Sequence, residues 1–162
     1  MLINKAMVQD QILKRRLRRI RRQLHRQHVE LLLVSAGANV TYLTGFLGDD
    51  SWALLTPRAV YLLTDSRYTE QAVSQCHGCK IIERRESMTK AVAGLLDKYK
   101  SVKSLAVESS ISIAQLRALK KNVKRRIKPL ANVIETVRRA KDDYEVRAIK
   151  KAARIASQAL TS

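Results

Sequence analysis

Leu13, Leu17, Ile20 and Leu24 recur at steps of four, three and four, a rhythm that places them on one face of a helix. The helix is predicted from about Asn4 to Gln27, with Lys14, Arg15, Arg16, Arg18, Arg19, Arg21, Arg22 and Arg26 on its other faces. Val29 to Ser35 is an apolar run broken by Glu30 and reads as a buried strand. Ala36 to Asn39 is turn material, and Asn39 is predicted to cap a short helical turn with Val40 and Leu43 inward. Gly45 and Gly48 bracket Phe46-Leu47 and permit a tight reversal. Two short apolar runs follow, Trp52–Thr56 and Ala59–Thr64, and Pro57-Arg58 between them marks a hairpin.

Beyond the hairpin, Asp65-Ser66 offers a cap for a helix starting near Arg67, with Tyr68, Ala72 and Val73 on one side. Lys80–Glu83 is predicted as a strand. Ser87 is predicted to cap a helix with Val92, Leu95, Leu96 and Tyr99 inward, and Leu105–Val107 to be a further buried strand. Ser112 with Gln115 spells a capping box, opening a helix that carries Ile113, Leu116 and Leu119. Ile127–Leu130, holding Pro129, suits an edge strand. A short helix over Asn132–Arg139 and a second capping box, Asp142 with Glu145, lead into a helix running to the end of the sequence. Its seam of Val146, Ile149, Ala153, Ala156 and Leu160 has little sequence left to cover it.

These elements predict an α/β fold, a mixed sheet centred on residues 31–68 and flanked by basic helices. A chain of 162 residues suits one ordinary domain, burying roughly 70% of its unfolded surface. Charge changes the picture more than composition does. The net charge is +18, with nine Lys/Arg against two acids in residues 1–30, three against four in 31–80, and twenty against eight in 81–162. A neutral centre with basic flanks invites nucleic acid, an acidic membrane surface or an acidic protein, or marks one half of a larger protein whose other half is acidic. Two cysteines make no disulfide framework. No run approaches the ~20 apolar residues of a membrane span, and the N-terminus has no signal-peptide core, so the expectation is a cytoplasmic protein with no membrane partner.

Local chemical signals are weak. His25 and His28 lie one turn apart but lack a third ligand at helical spacing. Cys76-His77-Gly78-Cys79 lacks the second pair of a zinc site. It follows a helix, whereas redox C-x-x-C motifs open one, so a structural role for both cysteines is the expectation. The glycines at 45 and 48 form no phosphate loop, since the Gly-Lys-Ser/Thr ending is missing.

Three ordered segments are more specific. Asn39-Val40-Thr41-Tyr42-Leu43-Thr44-Gly45-Phe46 resembles the Asn-Val/Ile-x-Tyr-Leu-Thr-Gly-Phe segment of the Xaa-Pro aminopeptidases, prolidases and creatinases. The run from Tyr61 through Asp65, Arg67 and Tyr68 to Ala72 is similar to the same family's second signature. Ile134-Glu135, Arg138, Lys141, Glu145, Ile149, Ala152-Ala153 and Ile155-Ala156 resemble its junction into the catalytic domain. The resemblance spans roughly residues 12–160.

The resemblance implies a creatinase/prolidase-type N-terminal domain, ribonuclease H-like, over 1–131. A linker and first helix over 132–162 would lead into a "pita-bread" catalytic domain. That second domain would bind two divalent ions (manganese, cobalt or zinc) through two Asp, a His and two Glu and hydrolyse the bond before proline in short peptides. After Glu145 this sequence has no Asp, Glu or His, so no metal ligand, cofactor or catalytic residue is expected here, and the chain alone is not expected to be an enzyme. The implied roles are oligomerisation and closing one wall of a pocket. Phe46, Asp49, Asp50 and Trp52 are the candidates for the wall, with a core and turn role as the open alternative. Asn39, Tyr42, Gly45, Asp65, Arg67 and Tyr68 are the signature residues, for which a structural role is expected. The expected partners are the catalytic domain, further copies of the chain and, for the whole enzyme, short proline-containing peptides. The competing reading is a catalytically dead basic module for nucleic acid or an acidic protein. Low aromatic content, 4%, and the absence of a nucleic-acid motif count against nucleic acid.

Overall fold

In the central strands nearly every position is apolar, so alternation sorts side chains between two buried faces rather than between core and solvent. The computed structural model describes the backbone of residues 2–76 and 78–160, with side chains from residue 10 onward in that range. Six strands, β1 (Leu32–Val34), β2 (Trp52–Leu55), β3 (Val60–Thr64), β4 (Lys80–Glu83), β5 (Ser104–Glu108) and β6 (Arg126–Leu130), form one sheet in the order β4-β3-β2-β1-β5-β6. β2 runs antiparallel to β1 and β3, and the other neighbours pair in parallel. This is the mixed sheet expected. The hairpin pairs Trp52 with Leu63 and Leu55 with Val60, and its turn is closed by the Thr56 N–H donating to the Ala59 carbonyl.

Seven α-helices lie among the described residues: α1 (Leu2–Arg26), α2 (Gly37–Thr44), α3 (Thr69–Gln75), α4 (Met88–Leu96), α5 (Ile113–Asn122), α6 (Val133–Arg139) and α7 (Asp143–Leu160). Leu32, Val34, Ala53, Leu55 and Leu62 face one way and pack with α1, α2, α3 and α6. Leu31, Leu33, Leu54, Leu63, Leu105 and Val107 face the other way and pack with α4 and α5. All four apolar residues of the predicted α1 stripe are buried, with Arg21 tying the helix to the hairpin through the Thr56 carbonyl.

Several local expectations are corrected. Asn39 does not cap α2; the cap position belongs to Ala36, and Asn39 lies inside the helix. Val73 and Ile113, expected inward, are 64% and 70% exposed, because each short helix turns only one narrow stripe to the sheet. Ser87 occupies the cap position of α4 without making a side-chain bond. The Asp65 carboxylate does accept the Arg67 N–H, but it caps a single 3₁₀ turn over Ser66–Tyr68 before α3 begins. Both capping boxes form, Ser112 with Gln115 and Asp142 with Glu145. α6 contributes Val133, Ile134 and Val137 to the first core, whereas α7 buries no side chain.

Candidate functional site

β1 and β5 are parallel neighbours, so their C-terminal ends lie side by side and Glu108 sits beneath the β1–α2 connection. Its Oε2 accepts the N–H groups of Ser35 and Ala36 at 2.7 and 2.8 Å, and its Oε1 accepts the Asn39 amide at 2.6 Å. A carboxylate this buried persists only when its oxygens are satisfied, and these are. The same Asn39 Nδ2 donates to Glu135 Oε1 at 2.6 Å, and Arg138 Nη1 donates to Asn39 Oδ1 at 2.7 Å. Asn39 therefore joins the sheet, α2 and α6 rather than ending a helix.

One turn on, the Tyr42 ring lies against two guanidiniums, Arg16 at 4.2 Å and Arg138 at 5.9 Å from its centroid. Arg16 reaches past it to Asp142 Oδ2, from Nε at 2.9 Å and Nη2 at 2.7 Å, and lies 3.5 Å from Glu145. The capping box of α7 is thereby clamped to α1. Burial pushes the Asp142 carboxyl up, but the Glu145 N–H and the Arg16 guanidinium outweigh it and hold the group below its ordinary value. Residues of the first and third signature segments thus meet in one cluster.

The second signature segment builds a separate corner at the ends of β3 and β4. Arg67 grips both oxygens of Asp65, at 3.1 Å from Nε and 2.7 Å from Nη2, and Arg84 reaches Asp65 at 3.1 Å. The Arg67 hydrogen bond holds the Asp65 carboxyl below its ordinary value. Arg84 also pairs with Asp50, which lies 3.4 Å from Arg67. Asp50 is thus tied down. Asp49, exposed beside it, is the carboxylate of this loop with no partner among the described residues.

Phe46 and Trp52, offered as pocket walls, are 0% and 7% exposed and lie in different cores on opposite faces of the sheet. In this chain neither ring is open to a substrate side chain. Phe46 folds under the loop and meets Tyr68 edge-on at 6.1 Å, and any side chain at Gly48 would collide with the Phe46 ring. Gly45 ends α2 at φ 77°, which a residue with a Cβ rarely adopts. The two glycines thus answer to different constraints, Gly45 to the backbone at the end of α2 and Gly48 to the buried Phe46 ring.

His25 and His28 are both exposed, and His77 lies outside the described residues. Among the described residues no group of three or more His, Cys, Asp or Glu is placed to hold a metal ion. No described helix is long and apolar enough to cross a membrane. A cleft of about 530 Å³, whose lining includes Leu96, Asp97, Lys100, Lys103, Asn122 and Lys124, touches none of the signature residues. Sequence reading missed Arg16, Arg84 and Glu108. Arg16 is one of nine Lys/Arg in its helix, and Arg84 and Glu108 act 34 and 69 residues from Asp50 and Asn39. The one local sign was a charge closing each strand run.

The family model for the creatinase/prolidase N-terminal domain matches residues 16–140. An uncharacterized peptidase of Bacillus subtilis, YqhT, is 28% identical over 148 residues, which is 89% of this chain and 41% of that protein. This chain therefore spans about two fifths of the length of that curated relative. The crystal structure of an Xaa-Pro aminopeptidase from Streptococcus pyogenes is 32% identical with a TM-score of 0.72, over 78% of this chain and 97% of that one. The Xaa-Pro dipeptidase from Bacillus anthracis superimposes with a TM-score of 0.85 over 92% of this chain and 42% of that one. At 24% identity it speaks for the fold.

Proposed function

The chain belongs to the creatinase/prolidase N-terminal domain family, and on that premise we propose that it is the non-catalytic N-terminal domain of a metal-dependent Xaa-Pro aminopeptidase or dipeptidase. Its work in that enzyme is to support oligomerisation and to shape the pocket in which short peptides lose the bond before proline. The domain proper is residues 1–131, and residues 132–162 are the linker and the helix, α7, that enters the catalytic domain. That domain carries the divalent metals and their ligands. The observation that carries this reading is α7 itself: clamped at its first turn by Arg16, it leaves Val146, Ile149 and Leu160 exposed along one face. Such a stripe suits a surface completed by further protein.

Of the four loop candidates, Asp49 is the residue assigned to the free amine of a peptide, by charge-assisted hydrogen bonding. Phe46 and Trp52 anchor the two ends of the loop in opposite cores, and Asp50 is held by Arg84. The test is hydrolysis of Xaa-Pro dipeptides by the polypeptide translated from the natural reading frame. Metal-dependent hydrolysis, with KM raised by Asp49→Ala and kcat retained, supports the proposal. A reading frame that stops at Ser162, or no cleavage before proline, overturns it.

A second reading, a basic binding module, is favoured by the exposed Arg15, Arg18, Arg19, Arg22 and Arg26 along α1. Salt-dependent binding of duplex DNA by the purified chain supports that reading, and no binding at moderate salt removes it.

A further inference from the structure

Residues 97–128 carry ten Lys/Arg against two acids, Asp97 and Glu108. Glu108 closes β5 at the end that carries the signature cluster, where Ser35, Ala36 and Asn39 take up its carboxylate. A cluster of lysines stands at the other end. β5 and β6 are parallel neighbours that pair Ser104 with Arg126, so Lys103 and Lys124 come to the same edge of the sheet on two separate segments. Lys100, just past the 3₁₀ turn Asp97–Tyr99 that follows α4, adds a third ammonium group, and all three lysines line the cleft of about 530 Å³.

Little of this charge is consumed within the chain. The carbonyls that end α4 and its 3₁₀ turn carry partial negative charge, and Arg125 takes them up. Its Nη1 donates to the Tyr99 carbonyl at 2.7 Å and to the Val102 carbonyl, and its Nη2 to the Leu96 carbonyl. The exposed ammonium groups of Lys100, Lys103 and Lys124 have no ion pair or hydrogen bond among the described residues; the lysines that pair with a carboxylate there are Lys14 and Lys90. Asp97 is the one carboxylate in the lining, so positive charge is in excess. Gly94 lines the α4 side as bare backbone. A Cβ there would meet nothing within 4 Å, so no internal contact demands glycine inside this helix.

We propose that this cleft is a binding site for a linear triphosphate group, with inorganic tripolyphosphate as its simplest ligand. Three ammonium groups on separate segments suit an anion whose charged oxygens are spread along a chain better than a single phosphate. The volume falls within the roughly 300–1,000 Å³ of small-ligand sites. Leu96 and Val123, both buried, supply an apolar part of the wall, against which the charges are less screened than in open solvent. Among the described residues no aromatic side chain lines the cleft, so a base finds no stacking platform and recognition stops at the phosphates. The site shares no residue with the loop or with α7, and it stands whether or not the peptidase reading holds.

The experiment titrates the purified chain with inorganic tripolyphosphate at low ionic strength, by calorimetry and by amide shifts in NMR. The expected result is saturable one-to-one binding, with shifts at Gly94, Lys100, Lys103 and Lys124. It should be at least about tenfold tighter than orthophosphate binding and should weaken as salt is added. Lys103→Glu combined with Lys124→Glu should weaken it at least about tenfold, whereas Arg18→Glu combined with Arg22→Glu on α1 should leave it within about twofold. Absence of saturation, or shifts confined to α1, overturns the site. Equal losses from the two double variants also overturn it, by reducing the binding to diffuse charge attraction. A single-stranded oligonucleotide that shifts the same amides and is not displaced by tripolyphosphate overturns the triphosphate assignment. The wild-type shift map stands even where a variant folds poorly.

Discussion

The hairpin of β2 and β3 and the helix α7 are both strongly patterned segments, yet they meet opposite fates. In the hairpin all nine residues are buried, because helices cover both faces of the sheet. In α7 all 18 residues stay out of the core, although apolar positions recur along it as regularly as in α1. Periodicity therefore reports that a face exists, and it does not report what covers it. The difference between α1 and α7 is that α1 lies on the sheet, whereas α7 is held at one end by Arg16.

Substitutions sharpen that contrast, and the largest effect belongs in the hairpin. Leu62→Ala removes a fully buried side chain at the centre of the first core, and unfolding by urea should show a loss of about 3–4 kcal/mol. Glu108→Ala strands the N–H groups of Ser35 and Ala36 and the Asn39 amide, with an expected cost of about 3 kcal/mol by the same measurement. Arg16→Ala should cost about 1 kcal/mol, and its distinctive sign is faster amide exchange at Glu145 and Val146 while β3 stays protected. Ile149→Ala, at a position 54% exposed, should change stability by less than ~0.5 kcal/mol. A large loss at Ile149, or a small one at Leu62, would break the comparison.

Acid probes the clamp in another way. The Asp142 carboxyl sits lower in the folded protein than in the unfolded chain, so its contribution is complete above the ordinary aspartate value. As pH falls through the lowered value, the group protonates and the contribution is lost. Amide exchange at Val146, corrected for intrinsic pH dependence, should accelerate across that acid window and stay flat above it. Asp142→Asn should abolish the step.

What the sequence made legible follows from distance along the chain. The hairpin, both capping boxes and the α1 stripe depend on residues within a few positions of one another, and all are present. Local pattern gave the wrong side for Val73 and Ile113 because it cannot say how wide a stripe the sheet will cover. The signature residues were recognised as a set, but the reasons for two of them lay elsewhere: Asn39 in Glu108 and Arg138, Asp65 in Arg84. Those pairings depend on strand order, and strand order is a property of the closed sheet. The loop candidates divided for the same reason, since residues six apart, Phe46 and Trp52, entered cores on opposite sides.

The central claim is that α7 is a surface awaiting the rest of an enzyme, and hydrogen exchange along it, read beside sedimentation, tests this most directly. In the isolated protein the amides beyond Ile149 should exchange far faster than those of β3, or gain protection only as the protein self-associates. A strict monomer with α7 protected as fully as β3 would contradict the account.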